Sequence, residues 1–117
     1  MKTNEELHSA ATKVLSDMGG LYTVNDILAA IELNKMQSFS DGYTWVVTQV
    51  HDFPQKKVVE IVLVVGDYYG AVAIQTRVEQ FARQIGASFL IASGRRGWGK
   101  AATDGWKTLS VNYMREL

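Results

Sequence analysis

Hydrophobic residues recur every three to four positions over the first third of the chain, at Leu7, Ala11, Val14, Leu15 and Met18 and again at Ile27, Leu28 and Ile31. The spacing predicts two amphipathic helices, each with one apolar stripe. Thr3-Asn4-Glu5-Glu6 has the order of a capping box at the start of the first. Gly19-Gly20 ends that helix, and Thr23 stands where an N-cap for the second belongs. The second helix is expected to end near Asn34. Its acidic residues, Asp26 and Glu32, are expected on solvated surface, and His8 on the solvent side of the first helix.

The period then falls to two. Residues 36–40 and 43–51 flank Ser40-Asp41-Gly42, and Asp-Gly between extended runs is a hairpin signal. Along the second run both parities are apolar at the centre, which predicts an internal strand. Pro54 marks the next turn. Residues 58–65 are almost wholly Val, Ile and Leu, broken by Glu60 and stopped by Gly66, as suits a strand buried on both faces. Three strands in an antiparallel meander follow from these short turns.

Helical spacing returns at Ala71, Ile74, Val78, Phe81, Ala82 and Ile85, predicting a helix over most of 70–85 that Gly86 caps with a positive φ. Residues 88–92 are a further apolar run. Strand, helix, strand is a crossover unit, so this strand belongs in the same sheet, parallel to 58–65. Beyond it, a short helix is expected near 98–103, and residues 106–109 and 111–117 read as extended segments. The expected class is α/β (α+β), one domain over 1–117.

Composition narrows what such a domain can do. At 47% hydrophobic the chain is globular. Twelve basic against twelve acidic residues give no net charge, which speaks against a general nucleic-acid or membrane-surface binder. With no cysteine there is no disulfide, no thiolate nucleophile and no cysteine-bound zinc. Two histidines do not make a His-rich metal site, and no residues are assigned to a metal. No apolar run reaches membrane-spanning length, and the polar N-terminus lacks a signal-peptide core. The expected location is the cytoplasm, that of a host included.

The order of elements, with the strand ending near Val65, Gly70 in the turn, the helix to Ile85, Gly86-Ala87-Ser88 and then a strand, resembles the GNAT superfamily of N-acetyltransferases over nearly the whole chain. Asp104-Gly105-Trp106 matches that family's Gly-aromatic pair, and residues 113–117 its final strand. Gly94-Arg95-Arg96-Gly97-Trp98 followed by Gly105-Trp106 resembles small GNAT-like proteins of tailed phages, some carried in virions. The resemblance implies an acetyl-CoA loop at Val65, Gly66, Asp67, Gly70 and Ala71, and a carboxylate on the central strand, Glu60, as the candidate general base. The loop departs from the family pattern, with Asp67 where Arg or Gln stands and Val72 where a small residue stands. The family's tyrosine acid is replaced by Ala101, with Tyr68, Tyr69 or Tyr113 as possible substitutes.

Each candidate has a plainer structural reading. Asp67 can simply cap the helix. Glu60 can pair with Lys57 or an arginine, and His51 and Asp52, adjacent on a strand, point to opposite faces. Arg95, Arg96, Trp98 and Lys100 form a basic, glycine-flanked cluster suited to a partner protein or a phosphate, or else a solvated loop. The reading that follows is a GNAT-like domain without catalysis and without a cofactor. It would serve as a binding or structural component, expected in a phage particle, with other proteins as partners through 94–98. The alternatives are an acetyl-CoA-dependent N-acyltransferase with an atypical cofactor loop, and a nucleic-acid-binding module.

Overall fold

The protein is described by a computed structural model. It describes residues 4–93 and 105–117, apart from the side chain of Tyr68. Among them three helices pack on one four-stranded sheet: α1 (Asn4–Asp17), α2 (Val24–Glu32), β1 (Gln37–Ser40), β2 (Thr44–Asp52), β3 (Lys57–Gly66), α3 (Tyr68–Gln84) and β4 (Phe89–Ala92). The sheet order is β1-β2-β3-β4. The first three strands are the expected meander, and β4 joins β3 in parallel through the α3 crossover.

The two apolar parities of the central strands account for two cores. Trp45 and Val47 of β2 and Val62, Leu63 and Val65 of β3 face α1 and α2, burying Leu7, Ala11, Leu15 and Ile27. Val46 and Val59 face the other way, against Ile74, Val78 and Ala82 of α3. Val62 and Leu63 are consecutive yet share a face because β3 carries a bulge: Val47 pairs with Leu63 but Thr48 with Ile61, leaving Val62 as the extra residue. The bulge also marks where β3 and β4 part. Their pairing runs from Val58–Phe89 to Ile61–Ala92 and stops, so residues 62–66 have no strand on that side among the described residues.

The helix ends are built as the sequence implies, with one addition. Thr23 caps α2, and Asp26 completes a capping box by accepting from the Thr23 N–H at 2.9 Å. Asp26 is therefore a capping residue and not merely solvated surface. At the end of α3, Gly86 has φ +78°, and Lys57 donates to the Ile85 carbonyl at 3.2 Å, a cation on the negative end of the helix.

Two expectations are corrected. His8 is half-buried against Trp45, ring centroids 5.5 Å apart, because the indole extends past the edge of the α1 stripe. Residues 105–117 form no strand, since no sheet edge takes up their backbone N–H and C=O groups. The capping role of Thr3, the helix expected near 98–103 and Ala101 lie outside the described residues.

Candidate functional site

The turn from β3 into α3 is held by its own chain. Asp67 is the N-cap, in extended backbone, and its carboxylate accepts from the Gly70 N–H at 3.1 Å. The Thr44 hydroxyl on β2 donates to the Asp67 carbonyl and accepts from the Asp67 N–H. Gly66, at φ +106°, passes so close to β2 that a Cβ there would meet the Tyr43 carbonyl at 2.2 Å. A Cβ on Gly70 would meet the Thr44 Oγ1 at 2.2 Å and an Asp41 carboxylate oxygen at 2.9 Å. Both glycines are thus required by β2, whether or not a ligand approaches.

Asp41 brings a second carboxylate to this place. Its Oδ1 accepts from the N–H groups of Tyr43 at 2.8 Å and Thr44 at 2.7 Å, closing the hairpin. Those two backbone bonds, Tyr43 first, hold its carboxyl below the ordinary carboxylate range. The N-terminus of α3, which by itself attracts anions, therefore faces two carboxylates. Of the other loop residues, Val65 is turned into the core and the Ala71 N–H bonds back to the Asp67 carbonyl. Val72 is half exposed on the first turn of α3.

Glu60 lies on the face of β3 away from α3, one residue before the last β3–β4 pair. Its Oε1 is 2.7 Å from His51 Nε2, with the two side chains 27% and 31% exposed. The pair is neither sealed in the core nor free in water. His51 in turn stacks on Phe53, ring centroids 5.6 Å apart. Beside them a cleft of about 340 Å³ is lined by Phe53, Val58, Phe89, Ile91 and Leu109 among others. A carboxylate held by an imidazole next to an apolar cleft can take a proton from a bound amine.

Sequence reasoning paired Glu60 with Lys57 or an arginine and set His51 aside against Asp52. The structure joins the two. The partner was readable from the hairpin: with Asp52 opposite Lys57, His51 falls opposite Val58 and Glu60 becomes its diagonal neighbour on the same face. Lys57 instead points toward the end of α3, with Asp52 4.0 Å away. Trp45 is a core anchor whose Nε1 donates to Ser38 Oγ, and Trp106 is half-buried with its Nε1 donating to Gln75 Oε1. Arg95, Arg96, Trp98 and Lys100 lie outside the described residues. Among the described residues no group of three or more His, Asp or Glu side chains is placed to hold a metal ion, and no helix is long and apolar enough to cross a membrane.

No protein-family model and no curated protein matches the sequence. Solved structures do match in fold. A probable acetyltransferase superposes with a TM-score of 0.60 at 12% identity, over 98% of this chain and 97% of that one. An aminoglycoside acetyltransferase from an uncultured soil metagenomic sample, in complex with sisomicin, gives 0.65 at 9% identity over 97% and 88%. A GNAT family acetyltransferase from Staphylococcus aureus gives 0.58 at 12% identity over 99% and 95%. The chain has a GNAT-like fold. None of the three is described as a phage protein.

Proposed function

We propose that this chain is an acyltransferase that moves an acyl group from a thioester to an amine, with Glu60 as the base. The observation that carries the reading is the Glu60–His51 pair at 2.7 Å, beside an apolar cleft and next to the point where β3 and β4 part. His51 Nε2–H donates to one carboxylate oxygen and fixes the carboxylate; the carboxylate accepts the proton of the attacking amine. The GNAT-like fold and the acetyltransferases that share it support the same chemistry.

An acyl-coenzyme A donor suits one part of this site and not another. The edge of residues 62–66, unpaired on that side among the described residues, offers backbone groups to the amide-bearing arm of such a donor. The α3 N-terminus, where its diphosphate would lie, presents Asp67 and Asp41. The diphosphate does not fit that charge, so no step is assigned to it.

That mismatch favours a second reading, in which the domain keeps the fold and serves as a binding component of a larger assembly. One experiment separates the two. The protein is incubated with acetyl-CoA and a panel of primary amines, and thiol release and acylated product are followed. Acyl transfer that falls about 10²-fold or more in Glu60→Gln, with unchanged folding, supports catalysis. No turnover above the uncatalysed rate on any amine, in folded protein, sinks the first reading and leaves the second.

A further inference from the structure

Among the described residues that line the cleft beside the Glu60–His51 pair, Lys56 alone carries a charge. The turn that bears it is closed by the Phe53 N–H, which donates to the Lys56 carbonyl at 3.0 Å. The Lys56 ammonium lies over the Phe89 ring, 5.7 Å from its centroid. An aromatic face attracts a cation but does not neutralise it. Asp52, at the end of β2, turns to Lys57 at 4.0 Å instead. Among the described residues the Lys56 ammonium therefore has no carboxylate partner.

The strand register sets what stands where. Lys56, Val58 and Glu60 share one parity, with Val58 paired to Phe89 and Glu60 to Ile91. Because the lysine leans over Phe89, its cation stands at the level of the Val58–Phe89 pair. That is two residues short of Glu60, on the order of 7 Å along the strand. Phe53, stacked on His51, walls the cleft on one side, and Phe89 and Ile91 wall it on the other. Buried Val58 is its floor. The cleft thus has a carboxylate at one end, an ammonium at the other and apolar walls between.

Resting on the reading of Glu60 as an acyltransferase base, we propose that the acceptor is a small amine with an apolar body and a carboxylate remote from its nitrogen, in chemical class an ω-amino acid. Its nitrogen lies at Glu60, its body between Phe53 and Phe89, and its carboxylate on the Lys56 ammonium. Lys56 is then the residue that sets specificity. The volume of about 340 Å³ is at the small end of ligand pockets and suits a molecule of this size. An α-amino acid would set its own carboxylate beside that of Glu60. A polyamine would bring a second cation against Lys56 and strip it of water between apolar walls.

Calorimetry on the full chain with ω-aminooctanoate, octylamine and spermidine reads the site without turnover. Lys56→Glu should weaken ω-aminooctanoate at least about threefold and not weaken octylamine, the scale of an exposed ion pair. Lys56→Arg should restore the affinity, and Glu60→Gln should weaken both amines alike. Lys56 is exposed on a turn, so its replacement does not threaten the fold. The proposal is wrong if ω-aminooctanoate does not bind, if Lys56→Glu changes both amines equally, if Glu60→Gln changes neither, or if spermidine binds more tightly. Acyl-transfer assays separate this inference from the reading beneath it. Transfer to spermidine or to α-amino acids, with ω-aminooctanoate inert, overturns the inference and leaves the acyltransferase standing. Lys56-dependent binding without any transfer upholds the ligand class of the cleft and sinks the acyltransferase.

Discussion

The hydroxyl of Thr44 on β2 holds both backbone groups of Asp67, donating to its carbonyl at 3.1 Å and accepting from its N–H at 3.2 Å. A fully buried side chain thereby fixes the turn that starts α3, twenty-three residues further along the chain. Thr44→Val keeps the shape and removes both bonds, leaving backbone groups without partners. It should cost about 1–3 kcal/mol in urea unfolding. Thr44→Ser keeps the hydroxyl and should cost no more than the lost methyl, about 1 kcal/mol. Equal losses would mean that packing, and not hydrogen bonding, is what Thr44 supplies.

Gly70→Ala should destabilise, against the usual sign. Inside a helix, alanine is favoured over glycine by about 1 kcal/mol. Here the new Cβ would meet Thr44 Oγ1 at 2.2 Å, and Thr44 is fixed by its own bonds. Overpacking of this kind costs about 1–3 kcal/mol. In a Thr44→Ala background the penalty should shrink, and a double-mutant cycle on denaturation free energies reads the coupling.

Stability should fall on acidification, with Asp41 contributing. Its folded pKa is depressed below the ordinary 3.8 by the N–H groups of Tyr43 and Thr44. Its stabilisation is therefore present above 3.8 and lost as pH falls through the depressed folded value. Asp26, held down by the backbone N–H and then the hydroxyl of Thr23, behaves in the same sense. Asp41→Asn keeps an acceptor for the hairpin N–H groups but does not titrate. Denaturation midpoints against pH should therefore be flatter on the acid side for this variant, and identical profiles would refute the assignment.

Asp67→Asn isolates charge from capping, since the amide oxygen can still accept from the Gly70 N–H. If carboxylate repulsion is what keeps a diphosphate from α3, calorimetry should show coenzyme A binding at least about tenfold tighter, a gain of about 1.4 kcal/mol. Unchanged affinity would shift the cause to the shape of the first turn, where Val72 stands in place of a small residue.

Local patterns were legible without coordinates. The stripes at Leu7, Ala11 and Leu15 and at Ile74, Val78 and Ala82 became buried helix faces, and the caps at Thr23, Asp67 and Gly86 came out as their residue types imply. So did the hairpin at Asp41-Gly42, the buried β3 strand and the parallel crossover to β4. Asp26 is exposed as expected, with a capping role added, while His8 was misjudged because spacing along one helix says nothing of an indole reaching over from β2.

The sequence by itself determined the elements and their order, because helix periodicity, caps and tight turns are interactions between residues a few positions apart. It also held the reason to doubt an ordinary cofactor loop, in Asp67 and Val72. What only the tertiary structure decided is what the strands bring together: Glu60 to His51 across a hairpin, Asp41 and Thr44 to the start of α3, and the bulge at Val62 where β3 leaves β4. It also decided that residues 107–117, strand-like in pattern, go unpaired. Whether a strand forms depends on an edge to receive it, and edges exist only once the sheet is folded.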